Sequence, residues 1–187
     1  MRFKPITIAI ILLCLAAGCI AASTAQSQES EYMIKAAFLY NFAKFVDWPD
    51  GSFMDDLSPI RLFIIGADPF GDTLDSLKDK TIKARRLTIK RIQKIEEMDK
   101  PHILFISSSE KGNVRRIIES LKREPVLTVS EIQEFCQQGG MINFIRLGNK
   151  VQFEINPDAV QKKKLVISSR LLNLAKIVGT EIQSGKQ

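Results

Sequence analysis

Few side chains in this sequence could carry chemistry. His102 is the only histidine, so a metal site of several imidazoles is excluded and a Ser-His-Asp triad would have to be built on this one residue. His102 follows Pro101 at the start of an apolar run, and Ser107, Ser108 and Ser109 lie beyond its far end. At least four strand residues between them amount to more than ~13 Å. His102 is therefore expected to be structural, and the serines to cap a following helix. Two carboxylates have aromatic or apolar neighbours: Asp47 precedes Trp48, and Glu154 lies between Phe153 and Ile155. Such a pair could divide acid and base roles, but nothing in the spacing brings the two together.

Two glycine-bearing stretches raise the question of a ligand loop. In Gly66-Ala67-Asp68-Pro69-Phe70-Gly71, Gly66, Asp68 and Gly71 would hold a small molecule at the carboxyl end of a strand, where α/β proteins bind ligands. The stretch lacks both the G-x-G-x-x-G spacing and the Lys-Ser/Thr of a phosphate loop, and Pro69 removes a backbone donor. A plain strand-to-helix turn is the preferred reading. In GGMINFIRLGNKVQFEINPD, residues 139–158, Gly139 suits a helix C-terminus, Gly148-Asn149 a two-residue hairpin turn, Asn156 a helix cap and Pro157 the first helical position. That stretch reads as scaffold.

The basic residues Lys83, Arg85, Arg86, Lys90, Arg91 and Lys94, with Lys162, Lys163 and Lys164, have neither interleaved aromatics nor a recognition helix, so no nucleic-acid partner is expected. They read as a solvated face, with anionic lipid headgroups as the alternative.

These residues must be positioned by a recognisable order of elements. Residues 31–46 form an expected helix, with Ser30 as N-cap and a stripe of Phe38, Phe42 and Phe45. Met33, Leu39 and Tyr40 make its other side apolar too, so it is buried on more than one side, and the surplus points to a homodimer interface. Ile60–Ile65, Ile103–Ile106 and Val126–Val129 are continuous apolar runs, the mark of strands covered on both faces. Lys80–Lys94 is strand-like in two pieces. A helix from Ser109 carries Val114, Ile117, Ile118 and Leu121, and a short one spans residues 130–138. Met141–Leu147 and Lys150–Ile155 pair as a hairpin. A final helix from Ser168 is expected to bury Leu171, Leu174, Ala175 and Val178. The fold class is α/β: a mainly parallel sheet flanked by helices, with a C-terminal antiparallel hairpin.

The N-terminus carries Arg2 and Lys4 before an apolar run, Ile6 to Ala17, and then small residues, as a secretory signal peptide does. Cleavage after Ser23-Thr24-Ala25 leaves Gln26 first. The alternative is a lipoprotein anchored at Cys19, from Ala16-Ala17-Gly18-Cys19. The first 25 residues hold two basic and no acidic side chains, so the net charge of +6 becomes +4. The expected organisation is a signal peptide over 1–25, a flexible segment over 26–30, one domain over 31–179 and a flexible tail over 180–187. Of Cys14, Cys19 and Cys136, the mature chain keeps Cys136 as its one free thiol. A cysteine-based metal site is excluded, and no cofactor is expected.

Taken in order, the segments Ile34 to Pro49 (IKAAFLYNFAKFVDWP), Ile65 to Gly71 (IGADPFG), Val126 to Ser130, Gly139 to Ile142, Phe153 to Asn156 and Ile167 to Leu172 (ISSRLL) resemble the YfiR family, which includes HmsC-like proteins. The resemblance implies a non-catalytic periplasmic protein. It implies repression of a membrane diguanylate cyclase through that enzyme's periplasmic sensor region, lowering cyclic di-GMP and biofilm formation, with relief by an outer-membrane lipoprotein. Relatives with paired cysteines have no counterpart pair here. Under this reading Trp48, as aromatic anchor, with Arg146, Glu154 and Arg170 are the candidate partner-binding residues. Glu154 is expected to project away from the core, opposite Val151, Phe153 and Ile155. The alternative function is a periplasmic small-molecule-binding module using the Gly66–Gly71 loop.

Overall fold

The computed structural model describes residues 28–179, so the expected signal peptide and C-terminal tail lie outside the described residues. Helix α1 (residues 28–45) runs directly into β1 (Val46–Asp47). There follow β2 (Ile60–Ile65), α2 (Asp72–Asp75), β3 (Thr81–Ile82), β4 (Arg85–Ile92), β5 (Ile103–Ile106), α3 (Val114–Ser120) and β6 (Leu127–Ser130). The chain closes with β7 (Ile142–Leu147), β8 (Lys150–Ile155), α4 (Pro157–Lys162), β9 (Val166–Ile167), α5 (Ser169–Leu172) and β10 (Lys176–Ile177). The main sheet has the order β10-β8-β7-β6-β5-β2-β4-β3, and β1 and β9 form a separate antiparallel pair.

From β4 through β2, β5 and β6 to β7 all neighbours are parallel. These strands must therefore be covered on both faces, as their unbroken apolar runs require. On one face, α1 and α2 pack over Leu62, Ile64, Leu87, Ile103, Phe105, Leu127 and Val129. On the other, Val114 and Ile117 of α3, with Leu121 at its C-cap, pack against Phe63, Ile65, Leu104 and Ile106. Each fully buried Leu, Ile or Phe contributes about 1.5–3 kcal/mol.

The hairpin forms as expected. β7 and β8 pair antiparallel with Leu147 opposite Lys150, leaving Gly148 and Asn149 as the two-residue turn. Asn156 Oδ1 accepts from the Ala159 N–H at 3.1 Å, with Pro157 next in the helix. Gly139 has φ +96°, and a Cβ on Gly140 would lie 2.2 Å from the Phe135 ring.

Four expectations are corrected. The short helix expected over 130–138 does not form: Ser130 ends β6 and residues 133–139 are successive turns, with Glu134 at φ +60°, outside the range a right-handed helix allows. Helix α1 already runs at residue 28, so Ser30 lies inside it rather than capping it. Glu29 and Glu31 in its first turns favour this extension through the helix dipole. A 3₁₀ segment, Ser108–Asn113, precedes α3 and is capped by Ser107. The final helix is only the four residues of α5. Leu174 is 71% exposed, and the chain turns into β10, which pairs parallel with Glu154 and Ile155. The open edge of β8 offers backbone partners that an isolated short helix cannot match.

His102 enters the sheet at the start of β5 as a structural residue. Its Nδ1 accepts from the Arg61 N–H at 3.0 Å, its Nε2 lies 3.1 Å from Ser52 O, and its ring stacks on Phe53 at 4.3 Å. One neutral tautomer satisfies both contacts. Burial is the main force holding its pKa below the ordinary value, with Arg61 and Arg85 acting the same way. The folded state thus binds fewer protons than the unfolded chain. Its contribution is complete above the unfolded pKa of about 6.5 and is lost as pH falls toward the folded pKa. Melting curves should show the protein losing stability between pH 7.5 and 5. His102→Gln should cost about 1–3 kcal/mol at pH 7.5 and flatten that dependence. A wild type that gains stability over this window would contradict the assignment.

Candidate functional site

The parallel strands follow the order of a doubly wound sheet whose switch point falls between β2 and β5. Ligands in such folds sit outside the carboxyl ends of the strands there. In this chain the crevice is filled from within. The Ala67 N–H donates to Ser109 Oγ at 2.9 Å, and a Cβ on Gly66 would lie 2.4 Å from that same oxygen.

Arg91 closes the rest of the Gly66–Gly71 loop: its Nε reaches Asp68 Oδ2 at 2.6 Å, and its two terminal nitrogens reach Asp75 Oδ1 at 2.9 Å and Gly71 O at 3.0 Å. Asp68 Oδ1 also accepts from the Phe70 N–H at 2.8 Å. The groups that would greet a ligand are consumed by the turn itself.

Beside the crevice lies a polar cluster that sequence spacing did not reveal. Glu131, just after β6, accepts from Lys35 Nζ at 2.6 Å, Tyr32 Oη at 3.1 Å and Ser108 Oγ at 3.0 Å. Lys35 also meets Glu31 at 2.5 Å. The Glu31–Lys35 spacing was readable as a helical pair, whereas nothing local pointed to Glu131. Burial and the Glu131 carboxylate raise the Tyr32 pKa. The cluster pins the start of α1 to the carboxyl end of the sheet.

The four surface candidates are not brought together. Trp48 Nε1 donates to His102 O at 3.2 Å, and the indole packs edge-on to Phe53 and His102. It thus sits half-buried at the amino end of β5, part of the fold. Arg146 is exposed at the opposite end, its guanidinium 3.4 Å from Glu31 and 3.1 Å from Gly148 O. Arg170 is exposed on α5, next to Ser168, whose N–H donates to Phe45 O at 2.9 Å. Residues 31 and 45 of α1 are about 21 Å apart along its axis, so the two arginines stand at either end of that helix. Between them α1 exposes Met33 (57%) and Ile34 (44%), and Leu147, beside Arg146, is 65% exposed.

Glu154 corrects a sequence expectation. It does lie opposite the Phe153 and Ile155 face, but its side chain is only 8% exposed, because that second face is covered as well. Oε1 accepts from Lys176 Nζ at 2.9 Å, and Cys136 Sγ lies 3.9 Å from its backbone carbonyl. Burial pushes the Cys136 thiol up to about 12, with Glu154 adding to the effect, so this thiol is inert at neutral pH. Asp47 pairs instead with Lys83; the two carboxylates considered for acid and base work each hold their own lysine.

The sequence profile described as YfiR/HmsC-like matches residues 32–176, most of the chain. No curated protein matches it.

The buried position of Glu154 reverses what a charge swap there should do. Glu154→Lys should destabilise the fold by about 2–3 kcal/mol, less than for a fully buried pair because Lys176 is solvated. Denaturant titration checks this. A change below about 0.5 kcal/mol, the usual range at exposed sites, would contradict the burial.

Proposed function

The chain belongs to the YfiR/HmsC-like family, and from that premise we propose that it binds the periplasmic sensor region of a membrane diguanylate cyclase and holds the enzyme inactive. The family is periplasmic and regulatory rather than catalytic, and acts on diguanylate cyclase systems in general. The observation that carries the finer reading is the outward side of α1. A soluble domain leaves Met33, Ile34 and Leu147 in solvent beside Arg146, while a crevice suited to a small ligand is filled by its own side chains. Exposed apolar residues rimmed by charge are what a protein partner covers. Arg146 and Arg170 keep the role given to them by the sequence, whereas Trp48 and Glu154 are held by the fold. Relief by an outer-membrane lipoprotein fits the same surface, as a competitor for it.

Arg146→Glu, Arg170→Glu and Ile34→Asp should each leave stability within about 0.5 kcal/mol, since the side chains are exposed. In the bacterial host they should raise cyclic di-GMP toward the level of a deletion strain, because mismatched charge at an interface costs several kcal/mol. Wild-type cyclic di-GMP in all three, with normal amounts of exported protein, would remove this surface from the account. Sedimentation of the same proteins reads the expected homodimer separately: a dimer through α1 would be lost in Ile34→Asp.

A further inference from the structure

Because β2, β5 and β6 are parallel, the loops that lead into them meet at one end of the sheet, opposite the crevice. A cavity of about 450 Å³ opens there, lined by Lys100, Lys122, Arg123, Lys162, Lys163 and Lys164, with Asp50 and Glu124 as its only acidic residues among those described. The sequence showed Lys162 to Lys164 as an isolated run; the fold sets that run beside three further cations from two other loops.

Some of this charge serves the helices. Lys163 Nζ donates to Leu121 O at the end of α3, and cations favour helix C-termini. The rest exceeds that need. Among the described residues Lys122 meets Glu119 at 3.8 Å, and none of the other five cations has a carboxylate within salt-bridge distance. Lys100 (φ +43°) and Lys164 (φ +56°) hold a backbone conformation uncommon for residues other than glycine.

The loop before β2 adds a second feature at the same end. Ser52 and His102 line both this cavity and a neighbouring one that also includes Phe53 and Met54. From that loop Met54 and Leu57 project 95% and 86% exposed. Two solvated apolar tips beside a basin with six cations to two lining carboxylates match the make-up of a surface that rests on an anionic bilayer: headgroup phosphates meet the lysines and the tips enter the interface.

We propose that the amino-end face of the sheet docks on the anionic phospholipid surface of a membrane, through the Lys100/Lys122/Arg123/Lys162–Lys164 basin and the Met54 and Leu57 tips. This does not rest on the cyclase reading; the basin lies at the end of the sheet remote from Arg146.

The test is co-sedimentation of the chain, purified from its host with Cys19→Ser so that no acyl chain contributes, with vesicles of phosphatidylglycerol and phosphatidylethanolamine or of phosphatidylcholine alone. Binding should need the anionic vesicles and weaken as salt rises. The triple variant Lys122→Gln, Arg123→Gln, Lys162→Gln changes only exposed side chains. It should lower vesicle affinity on the order of a hundredfold, about fivefold per charge, with an unchanged melting curve. Met54→Ser with Leu57→Ser should weaken binding without altering its salt dependence, and serves as the second handle if the triple variant is unstable. No binding to anionic vesicles would overturn the proposal, as would equal binding to neutral ones. So would inorganic phosphate binding, lost in the triple variant, without vesicle binding; that would make the basin a site for a soluble phosphate compound.

Discussion

The contact between α1 and the β7–β8 hairpin governs much of what this protein can present. Phe38 and Phe42 from the helix meet Phe144 and Phe153 from the two strands, with ring centroids 5.2 to 6.1 Å apart. Such pairs contribute about 0.5–1.5 kcal/mol each beyond the area they bury. Phe42 is fully buried in this cluster. The contact fastens an antiparallel extension to a parallel sheet, and it fixes the rotation of α1. With Ala36, Leu39, Phe42 and Ala43 turned inward, Met33 and Ile34 have nowhere to go but out.

The two ends of the sheet then take opposite characters. At the carboxyl end, where a doubly wound fold would hold a ligand, Ser109 fills the space over Gly66 and Arg91 ties down Asp68, Gly71 and Asp75. Glu131 gathers Lys35, Tyr32 and Ser108 beside it. At the amino end the charges are left unbalanced around an open cavity. The carboxyl end is thus closed by its own side chains, while the amino end stays open.

Much of this was legible in the sequence because its signals are local. Ile60 to Ile65 and Ile103 to Ile106 announced buried strands by being continuously apolar, and Asn156-Pro157 announced a capped helix. His102 was identified as structural from its place beside Pro101. The fate of residues 168–178 was not legible, since an apolar helix-like spacing competed with a strand partner, the edge of β8, that lies more than twenty residues earlier in the chain. Glu154 was misjudged for a related reason. Alternation along β8 correctly set it on the second face, but only tertiary structure shows that this face is covered as well. Among candidate partner residues, Arg146 and Arg170 remained exposed, while Trp48 was drawn into the fold by His102.

The central claim, that the outward side of α1 meets the sensor region of a diguanylate cyclase, is tested most directly by hydrogen exchange. The chain would be measured alone and with the purified periplasmic domain of its cyclase. The account predicts new protection in α1 around residues 33–41 and at the β7–β8 turn, with the 66–71 loop unchanged. Protection confined to that loop, or a complex that leaves α1 exchanging as in the free protein, would contradict it.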